Sequence, residues 1–284
     1  MHEPQRIKAF RQRIIREIPR FPNDRSSLKV LEAKSLGSLL IDYLNWASRY
    51  IAPRPREVVF DMKVAEHPRW LDLSTELVAV LDKVRRGDVL TPYLSTLPHT
   101  RGFTPASSEI GPTVDRWTDK DFVLNAMGYH HLHFDEMPHD NRRSNDLIFA
   151  FVDREKFEII GIFDHKAFKY DSASKTMSDE RQRLWEAFDG HTSRDIPPGS
   201  VYISTLIATS GHPVHLVRYA SACARTIYDA DPMLDDPAWV HDLYEKSAVS
   251  APSRPKIKWH FHCSDLGLLD EAAGIFFCLR PGFN

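Results

Sequence analysis

Apolar positions recur along this chain with two different periods. Residues 6–18 place Ile7, Phe10, Ile14, Ile15 and Ile18 on one helical face, with Arg11, Arg13 and Arg16 largely elsewhere. Pro19 and Pro22 end that helix. Leu36, Leu39, Leu40, Tyr43, Leu44, Ala47 and Ile51 keep the same spacing up to Pro53 and Pro55, which predicts a second helix. Leu71–Val84 predicts a third, with Ser74 as N-cap and Leu77, Val80, Leu81 and Val84 as its buried stripe. Its stop is Arg85-Arg86-Gly87, basic residues followed by a C-terminal glycine. Between the second and third helices, Glu57–Val64 reads as a short strand.

After a stretch rich in Pro, Ser, Thr and Gly (91–118), read as a long surface loop, and a short helix at Asp119–Met127, the period changes. Tyr129–Phe134 alternates, so Tyr129, His131 and His133 share one face and His130, Leu132 and Phe134 the other. Asp146–Val152 and Phe157–Asp164 are apolar on both faces, as central strands covered on both sides are. The polar Asp153–Lys156 link makes them a hairpin, and the three runs form an antiparallel meander. Ser178–Phe188 then reads as a helix capped by Ser178, Val201–Thr209 as a strand and Pro213–Tyr228 as a helix. Lys256–Cys263 and a hairpin of Leu266–Leu269 with Ile275–Leu279 close the chain.

That order predicts the α+β class, with N-terminal helices packed on a central antiparallel sheet. The meander and the C-terminal hairpin are expected to share that sheet. Residues 1–118 would form a helical N-terminal part and 119–284 the sheet domain.

Charge refines the picture. The net formal charge is −2, but residues 1–56 carry 12 Lys/Arg against 5 Asp/Glu, a net +7 that leaves −9 for the rest. Arg11, Arg13 and Arg16 are the residues expected to bring RNA, or an acidic partner protein, to this segment. No apolar run reaches the ~18–20 residues of a membrane helix, so no membrane partner is expected. Three cysteines form no C-x-x-C pair and fit a reducing compartment, which predicts a cytoplasmic protein. The chain lacks G-x-x-x-x-G-K-[ST], G-x-G-x-x-G and G-x-S-x-G. Nucleotide-cradling loops and hydrolase elbows are therefore not expected, nor is a cofactor.

The meander concentrates the candidate chemistry. It holds His130, His131 and His133, then Arg142 and Arg143, then His165-Lys166. The order Gly-Tyr-x-x-Leu-His, Arg142-Arg143, Asp146-x-Ile-Phe-x-Phe and Ile-x-x-Ile-Phe-Asp-His165-Lys166-x-Phe resembles the sheet of RelE-type toxins. That family reads Gly-Tyr-x-x-Leu-Arg, a Tyr-Arg pair, a hydrophobic strand and a hydrophobic strand ending His-Arg. The likeness covers residues 128–168, and His133 stands where the family has an arginine. The resemblance implies a ribonuclease-like fold, an RNA substrate (in some settings ribosome-associated) and an acidic antitoxin-like partner.

RNA is cleaved without metal when its 2′-OH attacks the adjacent phosphate. Histidines suit the proton transfers, and Arg and Lys suit the charge that develops. On this reading His133, with His131 beside it, acts as acid or base. Arg142 or Arg143 holds the phosphate, His165 is the second proton-transfer group or its orienter, and Lys166 adds charge. Two alternatives draw on the same residues. His131 and His133 could chelate a metal with Asp135, His139 or Asp164, and Asp164-x-Lys166 could serve a metal nuclease with Asp146. Cys263 beside His260 and His262 reads as a buried structural cysteine. From another class, the chain would be a non-catalytic interaction protein that keeps the sheet and holds a partner through its basic helices.

Overall fold

A computed structural model describes residues 3–95, 98, 123–136, 144–171, 176–194, 196–197, 199–200 and 206–284. The class is α+β, as the periodicity predicts. In chain order, the N-terminal helices are α1 (Gln5–Glu17), α2 (Arg25–Ala33) and α3 (Leu36–Ala47). Strand β1 (Glu57–Phe60), short helices α4 (Met62–Ala65) and α5 (Pro68–Asp72), and α6 (Ser74–Arg86) follow. The meander is β2 (Tyr129–His133), β3 (Asp146–Val152) and β4 (Lys156–Asp164), continued by a 3-10 helix at His165–Phe168. A two-residue pair, β5 (Tyr170–Asp171) and β6 (Thr176–Met177), leads to α7 (Asp179–Thr192). Helices α8 (Val214–Ala230) and α9 (Pro237–Lys246) precede β7 (Ile257–His262), β8 (Asp265–Asp270) and β9 (Ile275–Arg280).

The strands form separate sheets. The larger has the order β1-β4-β3-β2; β2, β3 and β4 are antiparallel neighbours, and β1 adds parallel to β4. The C-terminal hairpin, expected to share the meander's sheet, instead joins β7 in a three-stranded antiparallel sheet. Locally the two outcomes look the same, because an alternating strand satisfies either neighbour.

The contacts divide the chain into two units that interleave in sequence. One takes the N-terminal residues to Ser48 with His215–Phe283, the other the chain from Arg49 to Val214. The expected division at residue 118 falls outside the described residues, and the units are drawn elsewhere.

In the first unit α1 buries Ile7, Phe10, Ile14 and Ile15, the stripe its spacing predicts. Phe10 and Tyr43 of α3 both meet Phe261 of β7, with ring centroids 5.8 and 5.1 Å apart. N-terminal helices thus pack on an antiparallel sheet, and it is the C-terminal one.

In the second unit both faces of the meander are covered, which is why β3 and β4 carry apolar residues on both faces. On one face Leu132, Ile148, Ala150 and Ile159 pack with Leu77, Val80, Leu81 and Val84 of α6. On the other, Tyr129, Leu147, Phe149 and Phe163 pack with Leu184 and Phe188 of α7. Helix α6 starts at Ser74, but its N-cap is Leu73 and no side chain caps it, so the cap assigned to Ser74 is not formed. Gly87 ends it in the left-handed region (φ 77°), and a Cβ there would lie 2.4 Å from the Pro55 nitrogen. Ser178 caps α7 as expected, accepting from the Arg181 amide. Of the expected 201–209 strand, 201–205 lie outside the described residues, and Ile207 makes only an isolated bridge to Pro213.

His130 gives this unit a pH-sensitive core. It faces away from His131 and His133, and burial, followed by the charges of Arg56 and Arg49, pushes its imidazole down to about 4. An unfolded histidine titrates near ~6.5, so between these values the unfolded chain binds the extra proton and stability rises with pH. Lowering the pH from 7 to about 4.5 should therefore cost about 2–3 kcal/mol through this residue alone. Denaturant unfolding at the two pH values should show a smaller loss in His130→Leu. An unchanged pH slope in that variant would show that His130 is not the group responsible.

Candidate functional site

The strand end at Asp164 is built by an ion network. Asp146 and Asp164 face each other as register partners of β3 and β4. Asp164 caps the 3-10 helix, its Oδ1 accepting from the Lys166 amide at 2.7 Å, while its own amide donates to Glu180 Oε1 at 2.7 Å. Glu180 lies in the first turn of α7 and is ion-paired with Arg69 of α5 and, at 2.9 Å, with Arg183. Arg69 also reaches Asp164 at 3.3 Å and Asp146 at 3.6 Å. Arg183 donates to the Ile162 carbonyl at 2.5 Å and covers the Phe163 ring. Burial would raise the Glu180 carboxyl, but Arg183, the Asp164 amide and Arg69 outweigh it and hold it low. The network pins the short helix that presents His165 and Lys166.

His133 and His165 meet at this end, with ring centroids 5.6 Å apart. His165 Nδ1 lies 2.9 Å from the Asn145 carbonyl oxygen, which only accepts, so Nδ1 carries the hydrogen. In the neutral ring Nε2 is then the basic nitrogen. His165 is half-buried and Lys166 exposed, whereas His133 is only 5 % exposed. His131 sits among aromatic rings, 5.2 Å from Phe168 edge-on and 6.1 Å from Phe149. Of the three groups expected to converge, the His133 and His165 rings lie side by side, and the third, Arg143, lies outside the described residues. His131 is placed as a packing residue, and Arg142, Arg143 and His139 lie outside the described residues.

The carboxylates invoked for a metal nuclease, Asp146 and Asp164, are spanned by the Arg69 guanidinium. Among the described residues no three His, Cys, Asp or Glu side chains are grouped to hold a metal ion.

The N-terminal arginines belong to the other unit and are largely committed. Arg11 pairs with Glu3 at 3.0 Å and donates to the carbonyls of Glu32 and Lys34. Arg13 donates to the Trp259 carbonyl at 2.5 Å, and burial lowers its guanidinium below the usual value. Arg16 stays exposed, with Nε on the Gln12 carbonyl. Two of the three expected RNA contacts are thus internal braces.

Sequence reasoning missed Arg69, Glu180 and Arg183, and also a second polar chain under α7. The Tyr129 hydroxyl lies 2.9 Å from His191 Nδ1, and His191 Nε2 lies 3.4 Å from Glu158, which also holds Arg194 at 2.6 Å. The usable signal was the helical spacing of Glu180 and Arg183 in α7; their partners lie far off in sequence.

Comparison with family models, curated proteins and solved structures finds no match to this chain. Function must be argued from the residues.

Proposed function

We propose that the chain is a toxin-like endoribonuclease that cleaves RNA at the Asp164 end of the meander by attack of the 2′-OH on the adjacent phosphate. The observation that carries this reading is the pairing of His133 with a more accessible His165 beside the exposed Lys166. Because His133 is nearly buried, the roles read from sequence are exchanged. His165 Nε2 takes the 2′-OH proton as the O2′–P bond forms, the P–O5′ bond breaks and the leaving 5′-oxygen takes a proton from water, while His133 stands behind His165 as its orienter. Lys166 offsets charge on the phosphorane-like transition state. Arg142 and Arg143, which lie between β2 and β3 in the sequence, are assigned to the phosphate on sequence grounds. Three cysteines with no disulfide between them suit a reducing cytoplasmic setting.

The reaction class fixes the products. Wild-type protein incubated with single-stranded RNA in excess EDTA should give fragments ending in 2′,3′-cyclic phosphate and beginning with 5′-OH. Cleavage that stops in EDTA, or leaves 5′-phosphate ends, would require a metal-activated water instead. The burial of His133 favours a second reading, a non-catalytic interaction protein, and that reading takes over if folded wild-type protein leaves both free and ribosome-bound RNA intact.

A further inference from the structure

Helices α1 and α2 enclose a groove of about 460 Å³, with Ile15 and Leu28 among its apolar lining. Helix α2 buries none of its residues: Leu28 and Leu31 are half-covered and Val30 is 60 % exposed. An amphipathic helix of nine residues is too short to persist on propensity alone and depends on its packing. Here it is held by its Asp24 cap and by Arg11, whose guanidinium ties α1 to the carbonyls of Glu32 and Lys34.

The rim is charged unevenly. Residues 3–34 carry nine Lys/Arg against four Asp/Glu. Lys8 and Arg16 line the groove, are exposed and have no carboxylate partner among the described residues. We propose that this groove docks an acidic amphipathic helix of a partner protein. Apolar side chains at i and i+3 or i+4 would seat against Ile15 and Leu28, and flanking carboxylates would meet Lys8 and Arg16. A nucleic-acid strand fits less well. Glu3 and Glu32 on the same rim repel phosphates, and a polyphosphate backbone gains nothing from an apolar floor. The proposal does not rest on the ribonuclease reading.

The test pans the full chain against a displayed library of random peptides about four helical turns long. The enriched sequences are then titrated against wild type and the Lys8→Glu/Arg16→Glu double variant. Both substitutions are at exposed positions, and thermal unfolding confirms that the fold is kept. Enriched peptides should carry Asp or Glu flanking an apolar i, i+3/i+4 stripe and bind the double variant at least about tenfold more weakly, ~1.4 kcal/mol. No enrichment, enrichment without acidic residues, or equal affinity for the double variant overturns the proposal. Single-stranded RNA whose binding is lost with the same two substitutions, while the peptides bind indifferently, overturns it in favour of nucleic acid.

Discussion

Replacing Asp270 by alanine should cost about 2–4 kcal/mol, because it strips a buried hydroxyl and two part-buried amides of one acceptor group. The side chain is fully buried. Its Oδ2 accepts from the Tyr244 hydroxyl at 2.6 Å, and its Oδ1 accepts from the amides of Lys256 and Ala272, both at 2.9 Å. One carboxylate therefore ties α9, the entry to β7 and the β8–β9 turn together. Burial alone would raise its pKa, but the Tyr244 hydroxyl and the amides outweigh that and hold it below the usual range. A depressed carboxylate contributes stability that is present above the unfolded value and lost as pH falls through the folded one. Asp270→Asn keeps an acceptor for the amides and can donate to the Tyr244 oxygen, so it should recover most of the loss. Tyr244→Phe should cost only about 1 kcal/mol. Urea unfolding of the four proteins measures this order. An alanine variant with an unshifted midpoint would mean that water replaces the carboxylate.

The elements that were legible in the sequence bury a stripe. Helix α1 was visible because Ile7, Phe10, Ile14 and Ile15 all face one way, and the meander because β3 and β4 are apolar on both faces. Helix α2 escaped because it buries nothing; its signal was Asp24, whose carboxylate caps the Ser27 amide. Helix α9 carried a comparable signal in Asp236-Pro237, a capping residue followed by proline at the first helical position. What no local pattern holds is partnership. The parallel pairing of β1 with β4 and the independence of the C-terminal sheet are both choices between strands far apart in sequence.

The site divides in the same way. Alternation placed His131 and His133 on one face, but it cannot say whether that face meets water or α7. The answer, Phe168 and Phe149 against His131, comes from tertiary packing. Sequence also could not show that Arg11 and Arg13 serve backbone carbonyls, because a basic residue on a helix surface looks the same whether it braces the chain or waits for a ligand.

His165→Ala should lower RNA cleavage by roughly 10²-fold or more, the usual range for a general acid or base. The ring lies at the rim of the fold and is held through Asn145, so its loss should leave the unfolding midpoint nearly unchanged. His133→Ala should cost a comparable factor in cleavage, but with some stability, because its side chain is almost fully buried. If His133 acts through His165, the double variant should be no worse than His165→Ala alone, since groups that work as a unit are not additive. His131→Ala is the internal control. Its ring packs on Phe168 and Phe149, so it should lower stability while sparing the rate of the folded fraction. Lys166→Ala should weaken cleavage less than His165→Ala or His133→Ala, because an exposed ammonium is screened by water and salt. Single-turnover rates measured beside thermal unfolding separate these outcomes. Full activity in His165→Ala would end the catalytic assignment, whatever the other variants do. A loss in His133→Ala that merely tracks its unfolding would reduce His133, like His131, to core packing.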